Sequence, residues 1–184
     1  MITRDQALQL IEEHVENKNI IKHMFALEAV MGELWEKFKT DGTKEEWMMA
    51  GLLHDGDYCS QVPPEKQGIQ IVEWAKDLPA GRQENMIPEN VAHAMAAHNW
   101  ENTKVEPQNN MDWSIFCADS LTGLIVACAL VLPSRKLSDV SVEMVIKKFG
   151  QKSFAAGTRR EDIKLCEERL NISLNKFLQM FVRE

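Results

Sequence analysis

Apolar positions recur at steps of three and four through most of the chain, and capping or breaking residues bound each run. Leu8, Ile11 and Val15 share one face of a first helix, and Thr3 with Gln6 has the form of a capping box at its start. Asn17-Lys18-Asn19 breaks that helix. A longer one follows, with Ile21, Met24, Leu27, Met31, Leu34 and Phe38 on one stripe and Asp41-Gly42 at its end. Thr43 with Glu46 is another capping box and opens a helix through Trp47, Ala50 and Leu53; Gly56 marks its stop, just past His54-Asp55. Beyond a loop with Pro63-Pro64, residues 68–78 and 89–98 read as two more helices, separated by Pro79-Ala80-Gly81 and Pro88. Residues 99–110 are polar and read as an exposed loop, after which Asp112 is placed to cap a long apolar helix that Pro133 ends. Three amphipathic helices follow at 140–149, 159–170 and 173–182, the second behind a capping box from Thr158 to Glu161. No alternating stretch is long enough for a sheet, and no glycine pattern marks a parallel α/β unit. The pattern predicts an all-α fold.

Length and composition narrow this picture. A chain of 184 residues, 45% hydrophobic and 27% charged, is long enough to bury a sizeable core as one domain over residues 1–184. A formal net charge of −7 argues against a nucleic-acid polymer as partner. The first residues lack a basic stretch followed by an apolar run, so the expectation is a cytoplasmic protein without a signal peptide. Residues 113–132 are apolar enough to require a membrane test, but Asp119, Ser120 and Thr122 sit near the middle. A carboxylate there is costly in lipid, so a buried core helix is expected and no membrane partner. Cys59, Cys117, Cys128 and Cys166 are scattered with no CxxC pair, which predicts reduced thiols and neither a disulfide framework nor a cysteine-ligated zinc.

The chemistry centres on few residues. Of the five histidines, His54 is followed directly by Asp55 where an apolar helix runs into a turn, a place where imidazole and carboxylate can both face one cation. His23 lies near the start of the second helix, and Asp119 lies in the long apolar helix, where a lone buried charge would cost several kcal/mol. Taken singly, each has an ordinary reading: a satisfied core histidine, a helix cap, an ion-pair partner. Mixed nitrogen and oxygen donors suit Mn, Fe, Co, Ni or Zn.

The order H…HD…D, as His23, His54-Asp55 and Asp119, resembles the HD superfamily of metal-dependent phosphohydrolases, with spacings (54 − 23 = 31 and 119 − 55 = 64) that suit its helical core. The likeness is to a little-characterised branch of HDIG-type proteins. It is carried by Ile21-Lys22-His23-Met24, Ala50-Gly51-Leu52-Leu53-His54-Asp55-Gly56-Asp57-Tyr58, Ala118-Asp119-Ser120-Leu121-Thr122-Gly123-Leu124-Ile125-Val126 and Lys152-Ser153-Phe154-Ala155-Ala156-Gly157. The resemblance implies an HD-type helical core over about 20–132 with a helical extension over about 138–183. It also implies one divalent transition metal on His23, His54, Asp55 and Asp119. Two departures stand out: Gly56 replaces the usual isoleucine after His-Asp, and Val62-Pro63-Pro64-Glu65-Lys66 has proline where relatives with two metals carry histidine. A second metal would have to rely on His98 and His93, so one metal is the expectation.

The activity so implied is hydrolysis of a small phosphorylated molecule, a nucleotide among the options, by a metal-activated water. Asp57 would orient or deprotonate that water, or else merely cap the turn; Lys66 is the first candidate for meeting phosphate oxygens, ahead of Arg135, Lys136 and Lys152. His98 is the candidate proton donor to the leaving group, or else a residue that supports a metal ligand from behind, and His93, five positions away, falls on another helix face. His14 reads as a surface residue, the methionines as core packing, and Trp100 and Trp113 as rim or core. Two rival readings remain: a di-iron oxygenase of the HD fold, and a metal- and ligand-binding regulatory module without turnover. The apolar helices are compatible with a homodimer and do not require one.

Overall fold

The computed structural model describes residues 1–78 and 86–182. They form ten α-helices and two short 3-10 turns, with no strand among the described residues. The all-helical expectation holds. The break anticipated at Pro79-Ala80-Gly81 lies outside the described residues. The chain divides into two compact units, one running from Met1 to Ile115 and one from Phe116 onward.

The first unit is built on α1 (Arg4–His14), α2 (Lys18–Phe38), α3 (Lys44–Leu53), α4 (Gln70–Lys76), α5 (Glu89–His98) and the short α6 (Trp100–Thr103). Both expected capping boxes form: the Thr3 and Thr43 hydroxyls accept the amides of Gln6 and Glu46, whose side chains accept the amides of Thr3 and Thr43. The α2 helix ends at a left-handed Lys39, two residues before the expected breaker, and Asp41-Gly42 continues the turn with positive φ. The polar stretch 99–110 is not wholly loop. Thr103 turns its hydroxyl back to the carbonyls of Ala96 and Asn99, and this closes the single turn of α6.

The tightest seam of this unit joins α2 and α3. Gly51 makes it possible: a Cβ there would lie 2.7 Å from the Leu27 carbonyl oxygen and 2.9 Å from the Glu28 nitrogen. Both are backbone atoms of α2, so no rotamer change relieves the clash. Met24, Leu27, Met31, Leu34, Trp47, Ala50 and Leu53 are buried along the seam, and Met49 and Met95 join them as the core packing expected of methionine. A bidentate pair from Arg4 to the buried Glu28, at 2.7 and 2.9 Å, fastens α1 to α2. We expect Gly51→Ala to cost about 1–3 kcal/mol by overpacking. Urea unfolding will read this as a lower midpoint at unchanged slope.

The long helix α7 (Asn110–Leu130) starts in the first unit and ends in the second. Asn109, not Asp112, caps it: the Asn109 side chain accepts the Asp112 amide, while Asp112 sits inside the first turn and accepts the Gln108 amide. By length and composition α7 could cross a membrane, yet 56% of its apolar window is buried inside the protein. That burial is what a core helix requires.

The second unit adds α8 (Val142–Phe149), α9 (Arg160–Arg169) and α10 (Leu174–Phe181), with α10 packed on both others. Ser141 and Ser173 cap α8 and α10 through their hydroxyls. The expected Thr158–Glu161 box does not form. Arg159 takes the cap position without a side-chain cap bond and pairs with Asp162 at 2.7 Å. The cause lies one residue on. The Arg160 guanidinium turns back to the carbonyls of Lys148, Phe149, Gln151, Phe154, Ala155 and Thr158 and sets the path of the chain into α9. All four cysteines are free thiols; burial pushes those of Cys117 and Cys166 up, the latter to about 12.

Candidate metal centre

The site is assembled where two helices of the first unit end. The α3 helix stops at Leu53, and His54 keeps helical dihedrals as its C-cap. A tight turn follows: the Gly56 amide donates to the Leu53 carbonyl at 2.9 Å and the Tyr58 amide to the Asp55 carbonyl at 3.0 Å. Gly56 leaves room for Ile71, whose Cδ1 would lie 2.6 Å from an added Cβ. His98 is the last residue of α5. Carbonyls in the last turn of a helix have no partner in the helix. The His54 ring uses one, with Nδ1 at 2.9 Å from the Gly51 oxygen, and the His98 ring uses another through Nδ1 and the Met95 oxygen.

This device sets the chemistry of both rings. A carbonyl only accepts, so each Nδ1 carries the proton and each neutral ring keeps a bare Nε2 lone pair. These lone pairs converge. His54 Nε2 is 3.0 Å from His23 Nε2, which α2 supplies near its start, and 3.4 Å from Asp55 Oδ2. His23 Nε2 is 3.8 Å from the same Asp55 oxygen, and His98 Nε2 is 3.5 Å from Asp55 Oδ1. One ligand atom each from His54, Asp55 and His98 lies within 4.8 Å of the others. Burial pushes the Asp55 carboxyl up, but the charge and the hydrogen bonds that the His54 and His98 rings offer in their protonated form outweigh it and hold the carboxyl well below its usual range. His54 is fully buried and His98 nearly so, while His23 and Asp55 keep 16% side-chain exposure, which leaves a narrow way in. A buried group of nitrogen and carboxylate donors at these separations can hold a metal ion.

The other expected residues fall out differently. Asp57, read as either a base for water or a turn cap, is fully buried, and its oxygens accept the amides of Gly68 and Ile71 at 2.8 and 3.0 Å. Burial raises its pKa and these two bonds oppose the rise. Lys66 ends an exposed 3-10 turn (Pro64–Lys66) and has no ion-pair partner among the described residues. Asp119 lies half-buried on α7 in the second unit. Lys136 and Lys152 are exposed in that unit, and Arg135 is exposed with a left-handed backbone.

Of the two α5 histidines, His98 enters the cluster. His93 turns elsewhere, pairing through Nδ1 with the buried Asp112 at 2.9 Å. His14 is not a free surface residue but is half-buried and stacked on Trp74, ring centroids 3.7 Å apart. The sequence points to His98 as a proton donor or as part of a second metal site, and not as a neighbour of Asp55 in the first. A signal existed: like His54, it ends an apolar helix and has a carbonyl three residues back to fix its ring. No family model, no curated protein and no solved structure matches this chain.

Proposed function

We propose that the chain is a metal-dependent hydrolase of a small phosphorylated substrate, a phosphomonoester or phosphodiester, of the HD superfamily in its HDIG-type branch. One observation carries the reading: two imidazoles pinned through Nδ1 by helix-end carbonyls, and a third imidazole, face the Asp55 carboxylate. His23, His54 and Asp55 would hold one divalent transition metal (Mn, Fe, Co, Ni or Zn), with Asp119 added on the strength of the H…HD…D order. A bound cation there would polarise a phosphoryl oxygen and lower the pKa of a water. The chain's own residues do the rest. Gly51 and Met95 keep the rings oriented, Asp57 anchors the turn that presents Asp55, and His98 stands beside Asp55 as a further ligand or as the donor to a leaving group. Lys66, on the exposed turn that follows the His-Asp pair, would meet the phosphate oxygens. The predicted setting is the cytoplasm.

A second reading has one observation in its favour. Asp55 directs Oδ2 to His23 and His54 and Oδ1 to His98, an arrangement that suits a carboxylate bridging two cations, as a di-iron oxygenase would need. Elemental analysis of protein purified without added metal separates the readings. About one equivalent of a transition metal, with phosphate release in a screen of phosphoesters, supports the hydrolase. Two equivalents of iron favour the oxygenase. Bound metal and bound phosphoester without product would mark a regulatory module, and no metal after reconstitution with all five ions would end the proposal. Metal content retained in Asp119→Ala would remove that residue from the ligand set.

A further inference from the structure

Five large apolar side chains stand exposed in the second unit: Val126 (38%), Leu130 (61%), Val131 (56%), Leu137 (53%) and Ile146 (39%). On α7, Gly123, Val126, Ala127 and Leu130 recur at i, i+3, i+4 and i+7 and so share one stripe, all exposed except the half-buried Ala127. This is the repeat by which one helix packs against another. At Gly123 the space is open, since an added Cβ would meet nothing within 4 Å. A second helix backbone can therefore approach closely at that point. The stripe continues past the helix end into the exposed segment carrying Val131, Arg135, Lys136 and Leu137. The last turn of α8 lies alongside, where the Lys148 charge acts on the Cys128 thiol of α7.

Charge decides what covers the face. Arg135, Lys136 and Lys147 are exposed, as are Asp139 and Glu143 between them, and none of the five is ion-paired with a described residue. With three bases against two acids the patch is nearly balanced, so it has no strong attraction for an anionic membrane or an acidic partner protein. A second copy of this chain, turned by a two-fold axis, offers its own Asp139 and Glu143 to Arg135 and Lys136 and receives the same in return. We propose that this stripe of α7 with its flanking charges is a self-association surface that pairs two copies of the chain. The proposal is independent of the metal-centre reading.

Sedimentation velocity on the full chain at about 5–100 μM tests it, a range in which an interface of ordinary size is populated. The wild type is expected at twice the 21.0 kDa of one chain, and Val126→Asp with Leu130→Asp at the mass of one. Gly123→Leu gives a sharper sign. It replaces an exposed helix glycine, so it should raise the thermal midpoint by about 2–4 °C, yet it should weaken association at least about 10-fold by blocking close approach. Arg135→Glu with Lys136→Glu should also weaken association, and adding Asp139→Lys with Glu143→Lys should restore it. A wild type that stays monomeric throughout, or a dimer that survives both the aspartate pair and Gly123→Leu, overturns the proposal. So does flotation of the wild type with phosphatidylserine vesicles that the aspartate pair abolishes, which would assign the face to lipid.

Discussion

Asp55→Ala is expected to emerge from purification without metal and to lose phosphoester turnover at least about 100-fold. The lower bound follows from metal sites generally, where even partners outside the ligand set change affinity or activity by about 10–100-fold. Asp55 is more central, because its carboxylate lies within 4 Å of His23, His54 and His98 alike. Its loss removes the negative charge that faces all three imidazoles. A stability readout accompanies the metal analysis. With free metal at about 100 times its dissociation constant, binding stabilises the native wild type by about 2.7 kcal/mol. For a chain of this size that is roughly 5–10 °C in thermal midpoint, removed by a chelator. Asp55→Ala should show no chelator dependence. A variant that retains metal and activity would place the ion elsewhere and sink the assignment. His93→Ala is the control, since His93 is committed to Asp112, and it should keep its metal.

The second large effect is expected far from that chemistry. Arg160→Met should destabilise the chain by about 2–3 kcal/mol, the range for losing a charged donor whose acceptors are left without their partner. Six carbonyls around the end of α8 and the following loop accept from this one guanidinium, with separations from 2.6 to 3.4 Å, and those of Lys148, Gln151 and Ala155 accept a backbone amide as well. The positive charge also faces the carbonyl end of α8, where the helix dipole favours it. Arg160→Lys should recover less than half of the loss, because an ammonium has three donors at a point and cannot reproduce the planar fork. Urea denaturation of the three proteins checks this. Equal stability of wild type and Arg160→Met would show that water satisfies the carbonyls as well as the arginine does.

Arg160 also shows where reading the chain position by position stops. In sequence, Thr158 and Glu161 have the spacing of a capping box. In the fold, Arg160 is drawn back to α8, and the box loses its geometry. Elsewhere the caps at Thr3, Asn17, Thr43, Ser141 and Ser173 form as their side chains dictate, because nothing distant competes for those residues. The Asp112 cap failed for a reason of the same kind. Asn109, three positions earlier, reaches the Asp112 amide, and Asp112 is held by Gln108 and His93.

What the sequence determined by itself is what rests on interactions within about four residues: the helices, most of their ends, and a His-Asp pair at the close of an apolar helix. Gly56 belongs here as well, since it marks the turn that lets both side chains face the same way. Tertiary structure decided which distant residues meet. His23 and His98 come to His54 only because Gly51 lets α2 lie against α3 and because α5 packs on α3 as well. Whether His93 or His98 turned inward depended on the rotation of α5 about its own axis, which no local pattern encodes. The commitment of Asp57 to the α4 amides likewise required Gly68 and Ile71 to be brought back over the turn. Local free energies choose the elements; the close packing of their side chains chooses the angles, and a site with atoms 3 to 4 Å apart is made of angles.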